Sequence, residues 1–243
     1  MAASTRARRL RKRIALTAIG ALILGLTAFL VWCSILYPAE AAPLASVTDD
    51  AAIVTTQTPE AFVLEPAGGA TEVGLVFIPG AKVPAEAYAA KLAGIVDAGV
   101  TVVITKPILN LAFFDPRPLS TFTDLAPSVG RWYVGGHSLG GVRACQFAAG
   151  TEGLVLFGSY CAADLPDDIA VLSISASEDG LSTPADIEAN AGTLPDDAEF
   201  VEIEGGTHAQ FGDYGLQPGD GTATIDDADV AAQITAALEG FLR

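Results

Sequence analysis

The sequence predicts an α/β fold: a mostly parallel central sheet flanked by helices, preceded by a transmembrane helix. Three observations carry this. Short apolar runs of strand length alternate along the chain with stretches of helical length, the pattern of parallel sheets covered on both sides. Residues 132–150 pass from an apolar strand end through a glycine-rich turn into an Ala- and Val-rich segment that reads as a helix. Polar residues able to carry chemistry fall just past the carboxyl ends of the apolar runs, where open sheets of this type hold their sites.

Taken in order, the chain opens with a basic segment, residues 1–13, carrying Arg6, Arg8, Arg9, Arg11, Lys12 and Arg13 and no acid. Residues 14–37 form an apolar stretch of 24 residues without a charge. About 20 residues suffice to cross a bilayer, whereas the apolar core of a secretory signal is about 7–15 residues. An uncleaved anchor is therefore the expectation, with cleavage at the small residues around Ala39-Glu40-Ala41 as the alternative. The positive-inside rule keeps the arginines cytoplasmic and sends the rest of the chain across the membrane. The basic cluster could also suggest nucleic acid, but beside such an apolar run membrane orientation is the simpler account. Bulky Trp32 before Cys33 argues against a lipid-modified cysteine.

Residues 38–51 read as a linker without usable periodicity, and 52–243 as one domain large enough for a proper core. Residues 52–55 and 61–64 read as two edge strands, and 73–78 as a buried strand followed by a helix over 84–98. Next come a strand at 100–104, a short helix near 121–129, the 132–150 unit, and strands at 153–157, 171–175 and 200–203. A last amphipathic helix spans 226–242, with Ile225, Val230, Ile234, Leu238 and Phe241 available for its inner face. Beyond residue 13 there are seven basic residues against 29 acidic ones, leaving a net charge of −22. A domain so acidic repels nucleic acid and anionic surfaces.

Within the central unit, Gly136-His137-Ser138-Leu139-Gly140 matches G-x-S-x-G with a strand before it and a helix after it, the context of a nucleophile elbow. Such a turn is too sharp for side chains at Gly136 or Gly140 and strains the serine at its apex. The helix points its free N–H groups, Leu139 first, at a developing oxyanion. The chain holds two histidines. His137 is next to the serine, so its ring leaves the turn in another direction. His208, in the loop Gly205-Gly206-Thr207-His208, is the candidate base. The third member is a carboxylate that holds the imidazole tautomer. Asp179, before Gly180 at the end of the 171–175 strand, is preferred to Glu178, and Asp164, Asp168 and Asp186 read as solvated charges.

These motifs, with Ile78-Pro79-Gly80-Ala81 and Ser177-Glu178-Asp179-Gly180, resemble the α/β-hydrolase superfamily, in particular its small, lidless, dienelactone-hydrolase-like esterases. The resemblance covers roughly residues 62–242. It implies Ser138 as nucleophile, Asp179 as acid and His208 as base. It also implies a second oxyanion donor on the backbone of Ala81, with Lys82 as the alternative. The dozen residues between 157 and 171 are too few for a helical lid, so the α/β-hydrolase fold is expected without a lid domain and with an open pocket. Asn110, Phe113 and Phe114, Tyr160 and Tyr214 are the candidate substrate-binding residues, with packing beneath an irregular loop as the other reading of 111–114.

The expected chemistry is hydrolysis of a small-molecule or lipid-like carboxylic ester through an acyl-enzyme, with neither a cofactor nor a metal. Transfer of the acyl group to a cell-envelope acceptor by the same triad, or ligand binding without turnover at the cell surface, are the alternatives. Two cysteines, Cys145 and Cys161, fall in the catalytic domain. An exported domain favours their pairing, although two turns of helix separate Cys145 from the serine while Cys161 belongs near the rim.

Overall fold

The computed structural model describes residues 2–242 and divides into two units, one up to Ile35 and one from Leu36 onward. The first is a helix, α1, Ala2–Ser34, which takes in the basic segment as well as most of the apolar stretch. Within it Ala7–Ser34 is long and apolar enough to cross a membrane.

The second unit holds an eight-stranded sheet. Its strands are β1 Ile53–Gln57, β2 Ala61–Pro66, β3 Val73–Ile78, β4 Thr101–Thr105, β5 Arg131–His137, β6 Gly153–Phe157, β7 Ala170–Ala176 and β8 Glu199–Ile203. The order across the sheet is β1-β2-β4-β3-β5-β6-β7-β8. β2 runs antiparallel to both β1 and β4, and every other neighbouring pair is parallel. Of the two strands read as edges, only β1 is one. β2 is paired on both sides, and Ala61, Phe62, Val63 and Leu64 are buried accordingly.

Side chains alternate across the sheet with the two-residue period of a strand. On one face Leu75 and Phe77 of β3 join Val102, Ile104, Val155 and Phe157 beneath α2 (Ala41–Thr48), α3 (Ala89–Asp97) and α7 (Asp227–Phe241). On the other Val76 and Ile78 join Val103, Val134, Leu154 and Leu156 with Phe122 of α4 (Ser120–Thr123) and Ala144 of α5 (Leu139–Cys145). The inner stripe of α7 is Val230, Ile234 and Leu238, spaced four residues apart and fully buried. Each such burial contributes about 1.5–3 kcal/mol. Ile225 and Phe241 pack against the same core from positions less deeply buried.

Three segments differ from expectation. Residues 41–48, read as linker, form α2, which buries Val47 and packs Leu44 on the core. The spacing of those two residues was the helical signal, on a segment too short to show a period. α4 stops at Thr123, several residues short of the expected helix, and Pro127, which carries no N–H to bond the Thr123 carbonyl, bars its continuation. A further helix, α6, Pro184–Asn190, begins with a capping box between Thr183 and Asp186 and with proline in its first turn. Asp186, read as a solvated charge, is exposed and accepts the Thr183 N–H and hydroxyl at the start of that helix.

The chain leaves β3 toward β4 on one side and returns to β5 on the other. The β3–β5 boundary is thus the point where strand order reverses, and the crevice beyond its carboxyl ends is where ligands bind in such sheets.

Candidate active site

β5 ends at His137 and α5 begins at Leu139, leaving Ser138 alone at the apex with φ 53° and ψ −124°. The turn closes this tightly because Gly136 and Gly140 lack side chains. A Cβ at Gly136 would lie 2.5 Å from the Gly140 carbonyl carbon, and one at Gly140 would overlap the carbonyl oxygens of Ile78 and Pro79. Hydrogen bonds fix the strained residue on both sides. Its N–H donates to the Phe157 carbonyl (3.0 Å), and its carbonyl accepts the Ser159 hydroxyl (2.7 Å). The Ser138 side chain does not cap α5, and its Oγ has no hydrogen-bond partner among the described residues.

Asp179 follows β7, and His208 stands in the loop after β8. Asp179 Oδ2 lies 2.7 Å from His208 Nδ1, while Oδ1 accepts the N–H groups of Leu181 (2.8 Å) and Ser182 (2.7 Å). The two residues are 3% and 1% exposed, whereas Glu178 is exposed to solvent. Gly158, at φ 46°, lets the backbone after β6 press against this pair. A Cβ there would lie 2.9 Å from Asp179 Oδ2 and 3.2 Å from His208 Nδ1. Ser138 is tied to the pair through its neighbours. The His137 ring sits 4.4 Å from that of His208, and Ser159, which holds the Ser138 carbonyl, directly follows Gly158. Hydrogen bonds between nucleophile and base are often loose without substrate and tighten when it binds.

His137 does not point to solvent. It is 1% exposed, and its Nδ1 lies 2.9 Å from the Tyr88 hydroxyl, which also accepts the Gly80 N–H (2.9 Å). The phenol oxygen accepts the Gly80 N–H, and with its own proton assigned to Nδ1 the His137 proton is assigned to Nε2. Nε2 is buried without a hydrogen-bond partner among the described residues. Burial first, and the neighbouring His208 second, hold His137 well below the ordinary histidine range, so it stays neutral. The His208 backbone is near enough to favour the charged ring slightly, but not in hydrogen-bonding geometry. Burial likewise pushes the Tyr88 phenol up, and it remains protonated.

In the turn after β3, the Gly80 N–H is held by Tyr88 and the Lys82 N–H by the Asn110 carbonyl (2.8 Å). The Ala81 N–H between them, and the Leu139 N–H at the start of α5, donate to no group among the described residues. Among the described residues the left-handed ones other than glycine are Lys82, Leu109, Asn110 and Ser138, so backbone strain concentrates around this turn and the elbow.

The candidate substrate-binding residues divide. Phe113, 73% exposed, borders a cavity of about 90 Å³ with Leu139, Val142, Arg143 and Gln146. Phe114 packs edge-on against Phe113, and Asn110 lends its carbonyl to Lys82. Tyr160 is half-buried beyond Ser159. Tyr214 is 4% exposed, packs on Tyr88 and His137, and donates its hydroxyl to Gln217 (3.2 Å), so its ring is committed to packing beside His137. Cys145, the last residue of α5, is bridged to Cys161 with Cα atoms 5.7 Å apart. The loop after β6 folds back over the helix, which resolves the distance that opposed a bridge. Sequence reasoning missed Tyr88 and Ser159, whose partners are 49 and 21 residues away and whose surroundings carry no motif.

Residues 74–232 match the sequence model of a family described as the alpha/beta hydrolase family. Among solved structures, the chain is similar to an alpha-beta serine hydrolase homologue from Coxiella burnetii (12% identity, TM-score 0.53), with 77% of this chain and 96% of that one covered. It is similar as well to a serine hydrolase without a lid from Xanthomonas campestris (12% identity, TM-score 0.52), with 79% and 94% covered. No curated protein matches the sequence.

Proposed function

This chain belongs to the alpha/beta hydrolase family, and from that premise we propose that it cleaves carboxylic esters through an acyl-enzyme on Ser138. The observation that carries the reading is the buried His208–Asp179 contact of 2.7 Å beside a serine held at φ 53° with its hydroxyl uncommitted. In this reading His208, oriented by Asp179, takes the Ser138 proton as Oγ attacks the ester carbonyl. The N–H groups of Leu139 and Ala81 hold the oxyanion. His208 returns the proton to the leaving alcohol, and water attacks the acyl-enzyme by the same route. Neutral His137 leaves the imidazolium of the intermediate without a second positive charge beside it.

The same reading makes residues 14–37 an uncleaved anchor and 52–243 an extracytoplasmic catalytic domain, with residues 1–13 on the cytoplasmic side. The Cys145–Cys161 bridge supports this side of the membrane, since disulfides persist in oxidising compartments. The substrate class is a small or lipid-like ester that reaches an open, lidless crevice.

One experiment tests the chemistry. The full chain in detergent is given p-nitrophenyl acetate and a serine-directed fluorophosphonate, beside Ser138→Ala. Hydrolysis blocked by the phosphonate and lost in Ser138→Ala is expected. Turnover of the variant above about a thousandth of wild type removes the assignment, because losing a triad serine commonly costs far more.

A further inference from the structure

Asp220 lies outside every motif, in the loop between His208 and α7. Its Oδ1 accepts the backbone N–H groups of Gly180 (3.1 Å), His208 (3.2 Å) and its own neighbour Gly221 (2.8 Å), and its Oδ2 accepts that of Ala209 (2.7 Å). One carboxylate thus joins the residue after Asp179 to His208 itself, two turns that follow different strands. The fit is close around it. A Cβ at Gly180 would lie 2.7 Å from the Gly219 carbonyl oxygen, and one at Gly221 would overlap the Glu178 carbonyl. The loop is pinned at its far end by the Thr224 N–H on the Gly205 carbonyl (2.8 Å).

From these contacts we propose that Asp220 is the positioning residue that sets the alignment of His208 on Asp179. The inference rests on the assignment of those two residues as base and acid. Asp220 touches no reacting atom and acts through the backbone of both turns. Only an acceptor-only group serves all four donors. An asparagine with its oxygen at the Oδ1 position turns its NH₂ toward the Ala209 N–H, and the flipped amide faces three donors instead. Catalytic geometry tolerates about 0.5 Å of drift, and a displacement near 1 Å costs on the order of a hundredfold in rate. Side chains that contact the substrate are untouched, so the loss belongs in kcat.

The test uses the full chain in detergent micelles, wild type beside Asp220→Asn. Three readouts are taken: the rate of fluorophosphonate labelling, the kinetics with p-nitrophenyl acetate, and the downfield proton NMR signal of the imidazole N–H bonded to Asp179. Labelling and kcat are expected to fall about 10- to 100-fold with KM within about twofold, and the downfield signal to shift or vanish while circular dichroism is unchanged. A folded variant that labels within about twofold of wild type and keeps the signal overturns the proposal. So does a variant that cannot fold, since the carboxylate would then hold the domain rather than the site. Wild type that never labels defeats the esterase reading instead, and the NMR comparison still decides the role of Asp220.

Discussion

The rings of His137 and His208 lie 4.4 Å apart at 45°, and burial keeps the His137 ring from gaining a proton. His137 is buried and held well below the ordinary range, whereas an unfolded histidine titrates near about 6.5. A depressed folded value gives stability that is present above the unfolded value and lost as pH falls, because the unfolded chain takes a proton the folded one refuses. Between about pH 7.5 and about pH 5.5 the wild type should therefore lose about 1.4 kcal/mol more than His137→Asn. Urea unfolding of both chains at the two pH values measures this, and parallel losses would mean that His137 is protonated in the fold.

Asp179→Asn should lower turnover about ten-thousandfold, since an amide holds the wrong imidazole tautomer. Glu178→Gln, on an exposed neighbour, should leave it within about twofold. Steady-state kinetics on the pair decides the assignment, and the opposite ranking would move the acid to Glu178.

Tyr88→Phe removes the acceptor of the buried Gly80 N–H and the donor to His137 at once. An unsatisfied buried group of this kind costs about 1–3 kcal/mol. Thermal unfolding should register that loss. A fall in kcat beyond the stability effect is also expected, because the freed turn carries Ala81. A variant as stable as wild type would show that the phenol holds nothing.

Gly158→Ala places a Cβ 2.9 Å from Asp179 Oδ2 at a left-handed φ. The pair must give way, and turnover should drop at least about tenfold with modest loss of stability. Unchanged kinetics in the folded variant would place the imidazole elsewhere during turnover.

Cys145 and Cys161 are 16 residues apart in sequence, and a loop of that length gives about 3 kcal/mol. Replacing both by serine should lower Tm by about 6–12 °C. Reductant should lower Tm in the wild type alone, and an equal response in the double variant would show the bridge to be absent in solution.

The residues legible in the sequence share a local signature. Ser138 has glycines on either side at fixed spacing, Asp179 ends a strand before a glycine, and His208 follows a glycine pair. Each could be found without knowing what it faces. Tyr88, Ser159 and Asp220 were silent because their meaning lies in partners up to 49 residues away. Strand positions were legible from apolar runs, but the place of β2 inside the sheet was not, since pairing on the second side leaves no mark on a strand already apolar throughout. The packing of Tyr214 was not legible either, since the rings it meets, Tyr88 and His137, come from distant parts of the chain.

The strand order also separates the parts of the site along the chain. The turn that strains Ser138 is bounded by β3, β5 and β6, all complete by residue 157, while the loop that joins the carboxylate to the imidazole ends only near residue 221. A chain cut between these points keeps every strand that bounds the turn but lacks His208 and Asp220. On the proposed mechanism its serine has no base, and activity requires the segment that carries His208.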